Sequence, residues 1–122
     1  MSAGGDLIRQ AYDGFARGDI PAVLDVMADD VSWSVPDLVP QGGTASGKEE
    51  VGAFFQRIGE LYEDFGIEIH DLADGDDRVV GVGTGRGTLR EGGAVEYGFA
   101  HVFDVEGGKV VRFREYVDRN AG

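Results

Sequence analysis

The chain has 122 residues, which suits one domain with a single core and leaves no room for a second. Its 11 basic and 23 acidic residues give a formal net charge of −12, which opposes binding to nucleic acid or to anionic lipid and favours solubility. The absence of cysteine excludes disulfides, thiolate catalysis and cysteine metal sites; with no signal-like N-terminus in MSAGGDLIRQAYDGF and no long apolar run, a cytoplasmic protein outside the membrane is expected.

Residues 1–5 read as a frayed end, so the ordered core of one domain spanning 1–122 is expected at about 6–118. Asp6 is placed to cap a helix starting at Leu7, in which Ile8, Ala11, Tyr12 and Phe15 form an apolar stripe. Gly18 ends it, Asp19 caps a second, short helix, and Pro21 sits in its first turn, where a missing N–H does no harm. Val23, Leu24 and Met27 form the buried face of this second helix.

Val31 to Val35 alternates and stops at Pro36, which predicts a short strand with Val31, Trp33 and Val35 on one side. Residues 36–47, rich in Pro, Gly and Ser, read as a loop able to rim or cover a pocket. A third helix is expected from about Lys48 to Asp64, with Val51, Phe54, Phe55, Ile58, Leu61 and Tyr62 at helical spacing. Strands follow at roughly 66–72, 78–89, 94–105 and 109–118, joined by glycine-containing turns. Helices followed by hairpin-linked strands predict an α+β fold: three helices in the concave face of a strongly curved antiparallel sheet. The glycines of GVGTGRGTL precede no helix, so no dinucleotide site is expected, and two histidines without ligand spacing argue against a metal. His70 reads as exposed, and no cofactor is expected.

The period of two assigns strand faces. In 94–105, Val95, Tyr97, Phe99, His101, Phe103 and Val105 should look toward the helices. In 109–118, the set Val111, Phe113, Glu115 and Val117 is the more apolar and is expected inward. In 78–89 the row Gly81, Gly83, Gly85 and Gly87 is expected outward, which sends Arg86 inward. Arg86, His101 and Glu115 would then converge in an aromatic interior, where a buried charge requires a partner, and an Arg86–Glu115 pair would supply it.

Two stretches, FARGDIPAVLDVMADDVSW and HVFDVEGGKVVRFREYVD, resemble the SnoaL-like branch of the nuclear transport factor 2-like superfamily, and the likeness runs from about Leu7 to Asp118. The resemblance implies a cone-shaped α+β fold, a mostly apolar pocket and frequent dimers, among proteins that include polyketide cyclases, ketosteroid isomerases and limonene epoxide hydrolases. The ketosteroid isomerase base falls on Val35, which rules against that activity; its oxyanion tyrosine falls near Ala11, beside Tyr12, and its second acid on Ala100 or His101. Glu115 falls where epoxide hydrolases carry a water-activating carboxylate, with Arg86 nearby, while Trp33 and Val35 replace their water-holding residues. Polyketide cyclases of this type suggest Glu115 as acid/base, with Arg86 or His101 stabilising an enolate oxygen.

Three functions are therefore expected of one pocket: acid/base chemistry on a hydrophobic cyclic or carbonyl substrate, non-catalytic binding of a small hydrophobic molecule, or epoxide hydrolysis by an Arg86–Glu115 pair. Its expected lining is Tyr12, Phe15, Trp33, Phe54, Phe55, Tyr97, Phe99, Phe103, Phe113 and Val117. A further expectation is a homodimer through the convex sheet face, with Gly81, Gly83, Gly85, Gly98, Ala100, Val102 and Tyr116.

Overall fold

The computed structural model describes residues 2–118. Three helices, α1 (Ala3–Ala16), α2 (Ile20–Asp25) and α3 (Gly47–Leu61), pack against six strands, β1 (Met27–Val35), β2 (Gly43–Ser46), β3 (Tyr62–Ala73), β4 (Arg78–Leu89), β5 (Ala94–Glu106) and β6 (Lys109–Asp118). The strands form one curved sheet in the order β2-β1-β6-β5-β4-β3. Every neighbouring pair is antiparallel except β1 with β6, which run parallel and are separated in sequence by α3 and four strands.

Several local expectations change. The third helix stops at Leu61 and not at Asp64, so Tyr62 begins β3, and Met27 opens β1 and does not belong to the second helix. The first helix begins at Ala3, not Leu7: the Ser2 hydroxyl caps it by accepting the Gly5 N–H at 2.9 Å. Gly4 and Gly5 allow this start to lie on the turn after β3, since a Cβ on either would collide with Gly75, Asp76 or the Asp74 side chain. The loop expected at 36–47 contains β2, which pairs with β1 through Ser46, Ala45, Thr44 and Gly43. The strand around Trp33 starts earlier, at Met27; exposed Asp29 and Asp30 break the alternation that would have revealed it.

The glycine row of β4 is the largest correction. Val79, Gly81, Gly83, Gly85 and Gly87 are buried, whereas Val82 and Arg86 are exposed. The glycines line the core because rings from neighbouring elements lie in the space their side chains would take. Across the β4–β5 ladder Gly81 faces His101, Gly83 faces Phe99 and Gly85 faces Tyr97. A Cβ on Gly81 would meet the Tyr12 hydroxyl and one on Gly85 the Tyr97 ring, while one on Gly83 would meet the Glu68 backbone carbonyl first and then the Phe99 ring. Glycine here permits aromatic rings to lie flat on the sheet.

A second face error comes from a bulge. Asp104 pairs with Arg112 but Val105 pairs with Val110, so β6 carries an extra residue between them. Val110 is consequently buried in place of Val111, while Phe113 and Glu115 stay inward. The core runs under α1 and α3, from Ile8 and Val51 to Tyr97 and Val110, and among the described residues its buried polar side chains are Gln41, His101 and Glu115.

Candidate functional site

The site forms where one row of the sheet meets α1. His101 on β5 lies directly opposite Glu115 on β6, and Gly81 on β4 completes the row on the other side. His101 and Glu115 are 7% and 9% exposed, so water cannot satisfy their polar atoms and they must find partners. His101 Nε2 lies 2.7 Å from Glu115 Oε2, and His101 Nδ1 lies 2.9 Å from the Tyr12 hydroxyl, which hangs from α1 over Gly81.

The roles in this chain follow from the donors available. In the tautomer that serves both partners of a neutral ring, Nε2–H donates to the Glu115 carboxylate and Nδ1 accepts the Tyr12 O–H. Burial, and secondarily the charge of Glu115, push the Tyr12 hydroxyl far above the ordinary tyrosine value, which keeps it a protonated donor. The imidazole itself is clamped: Phe99 stacks on it at 3.9 Å with the planes 9° apart, and Phe113 meets it edge-on at 5.0 Å.

Beside this chain is a cavity of about 70 Å³, lined by Tyr12, Phe15, Trp33, Phe54, Phe55, Tyr97, His101, Phe103, Phe113 and Glu115 among others. That is room for a few water molecules, and less than the roughly 300 Å³ at which drug-sized ligand pockets begin. Most of the aromatic stripe is therefore packed core, with a small opening against the polar chain. Trp33 stacks on Phe113 at 3.9 Å and is flanked by Phe54 and Phe55 at 5.5 and 5.6 Å.

Of the residues expected at the site, Tyr12, His101 and Glu115 come together, and the aromatic lining surrounds them. Three do not take the expected place. Arg86 points out of the sheet and pairs with Glu96 at 3.3 Å, so there is no Arg86–Glu115 pair, and Arg86 is not available to hold an enolate or an epoxide. Phe99 supports His101 from beside the cavity without lining it, and Val117, opposite Phe99, packs at the core margin. His70 is half exposed and bonded to Thr84 at 2.8 Å.

Gln41 was missed by sequence reasoning. It lies on the segment between β1 and β2, is 2% exposed, and lines the far part of the cavity. Its amide donates to the Tyr97 hydroxyl at 2.9 Å and accepts from the Tyr62 hydroxyl at 2.7 Å, while Arg57 holds its backbone carbonyl at 2.6 Å. A single glutamine in a polar loop carries no periodic signal, and only its pairing with two distant tyrosines identifies it. Among the described residues no His, Cys, Asp and Glu cluster could hold a metal ion, and no helix is long and apolar enough to cross a membrane.

Comparison with known proteins agrees with this architecture. The profile of the SnoaL-like domain matches residues 8–113. An NTF2-like protein of unknown function from Burkholderia pseudomallei is 31% identical, with 99% of this chain and 95% of that one covered and a TM-score of 0.87. An NTF2-like protein from Burkholderia thailandensis is 30% identical over 98% and 94% of the two chains, with a TM-score of 0.90. TerC, crystallised with polyporic acid, is 26% identical over 98% and 94%, with a TM-score of 0.84. No curated protein matches the chain by sequence.

Proposed function

Because the chain belongs to the SnoaL-like domain family, we propose that it binds a small hydrophobic cyclic or carbonyl compound beside Glu115 and moves a proton on it, with Glu115 as the acid/base group. The observation that carries this reading is the buried Tyr12–His101–Glu115 chain, which ends in a carboxylate on the wall of an apolar cavity. Co-crystallisation of the similar TerC with polyporic acid supports a ring-bearing, oxygenated ligand.

In this mechanism the carboxylate takes a proton from a carbon next to a carbonyl. The C–H electron pair moves into the carbonyl, giving an enolate and a neutral Glu115. Returning the proton to the same or a conjugated carbon regenerates the carboxylate, so the cycle balances without a cofactor. His101 fixes the carboxylate through Oε2, and Tyr12 fixes the imidazole tautomer from the other side. With both nitrogens of His101 engaged, Glu115 is the group left to exchange the proton.

The test is solvent-deuterium exchange at the α-carbon of a panel of single-ring ketones and enones, followed by NMR. Wild type should accelerate exchange of at least one compound, and Glu115→Gln should lose about 10²–10⁴-fold of that acceleration. Equal rates in the two proteins would refute Glu115 as the base. A second reading, non-catalytic binding, is favoured by the fact that the three polar groups already satisfy one another; it predicts binding without any exchange.

A further inference from the structure

A ring-bearing ligand does not fit the cavity as it stands. Its volume is about 70 Å³, whereas a cavity of roughly 150 Å³ binds benzene. A wall must move before a ring can sit beside Glu115, and burial shows which wall can. Among the lining residues, Tyr12, Phe15, Phe55, Phe65 and Ile67 are only half-buried, so each stands between the cavity and solvent; the other lining residues are buried. The mouth therefore lies where the end of α1 meets α3 and the first half of β3.

Most of these side chains are held in place. The Tyr12 hydroxyl is bonded to His101 at 2.9 Å. Phe55 packs on both Trp33 and Phe54, at 5.6 and 5.4 Å, and Phe65 packs on Tyr62 at 4.9 Å. Ile67 is β-branched, hence stiff at χ1, and its strand is paired with β4. Phe15 is held least: among the described rings it meets only Phe55 and Phe65, at 5.8 and 6.3 Å, and both of these are themselves at the mouth. It sits in the last turn of α1, where the backbone is fixed, since the Gly18 N–H donates to the Phe15 carbonyl at 3.0 Å. A ring on a helix has two accessible χ1 wells, near 180° and near −60°, so one side-chain rotation can clear the mouth without moving α1. We infer that Phe15 is the gate of the cavity and the size filter of its ligand. At rest its ring closes the mouth against Phe55 and Phe65; swung outward, it gives up the space of one six-membered ring.

The gate stands on geometry, while its action as a filter rests on the proposed ligand site, and the experiment separates the two. Trp33 lines the cavity, is 6% exposed and is the sole tryptophan, so its fluorescence reports what enters. Acrylamide quenching constants are measured from lifetimes for wild type, Phe15→Ala, Phe15→Leu and Val95→Ala. Val95 is buried but does not line the cavity, so its variant controls for general loosening of the core. Phe15→Ala should raise the constant several-fold, Phe15→Leu by less, and Val95→Ala should stay near wild type. If Phe15→Ala does not fold, Phe15→Leu decides. An unchanged constant in the folded Phe15 variants, or an equal rise in Val95→Ala, overturns the gate. Wild type and the Phe15 variants are then titrated with cyclohexanone and with the two-ring 2-decalone, followed by ¹H–¹⁵N spectra. Wild type should prefer cyclohexanone, and Phe15→Ala should bind 2-decalone about tenfold more tightly than wild type does. If quenching responds as expected and neither ketone binds any of the proteins, the gate stands and the ligand site falls. If both ketones bind with the same preference in every protein, the filter falls and the ligand site stands.

Discussion

Gly81→Ala tests how the polar chain is held. The backbone at Gly81 is not in the left-handed region, so alanine is conformationally permitted there. What forbids it is the Tyr12 hydroxyl: the three heavy atoms nearest the new Cβ are Oη, Cζ and Cε2 of that one phenol. Overpacking of this kind costs about 1–3 kcal/mol, and displacing the phenol from His101 forfeits a further ~1 kcal/mol of hydrogen bonding. Replacing glycine returns about 0.4–1 kcal/mol through the unfolded chain. The expected net destabilisation is about 1–3 kcal/mol, or several degrees in Tm for a domain of this size. In a Tyr12→Phe background the colliding oxygen is gone and the next atom, Cζ, stands at 3.3 Å, so the same substitution should be close to neutral. Urea unfolding of wild type, both single variants and the double variant should therefore show a coupling of at least about 1 kcal/mol, well beyond the ~0.5 kcal/mol scatter of independent sites. Gly59→Ala, on exposed α3 surface with nothing within 4 Å, is the control and should stabilise by about 0.5–1 kcal/mol. Additive effects at positions 81 and 12 would refute the claim that Gly81 exists to seat Tyr12.

Two further outcomes follow from the same geometry. Burial and the Glu115 charge raise the Tyr12 hydroxyl in the folded state above its unfolded value near 10, so its stabilising contribution is complete below about pH 10 and is lost as pH rises further. Urea midpoints measured between pH 8 and 12 should fall less steeply for Tyr12→Phe than for wild type; parallel curves would show that the hydroxyl does not titrate with folding. The outer sheet face carries the row Val82–Ala100–Tyr116, with Val82 and Tyr116 44% and 55% exposed, and this apolar row is proposed to pair two copies of the chain. Sedimentation should give a dimer at micromolar concentration that Val82→Glu dissociates, and a wild-type monomer would contradict the proposal.

The sequence makes the site legible to the extent that alternation is uninterrupted. Along β5 every second residue from Val95 to Val105 is buried, as its pattern demands, and this alone places His101 inside. On β6 the same reasoning places Glu115 correctly but misassigns Val110 and Val111, because a bulge shifts the face partway along a strand without marking the composition. On β4 it fails altogether. The rule that glycines cannot fill a core is true of each glycine alone, yet it ignores what the neighbours can reach. Tyr12, Tyr97 and Phe99 are long enough to lie over Gly81, Gly85 and Gly83, so the face without side chains is the face that receives them. Arg86 goes outward for that reason and cannot neutralise Glu115. His101, bonded on its other nitrogen to a tyrosine from a helix some ninety positions earlier in sequence, takes the place expected of Arg86. The partner of a buried carboxylate is decided by this three-dimensional exchange of volume between glycines and rings, and a one-dimensional pattern contains the glycines and the rings but not the contact between them.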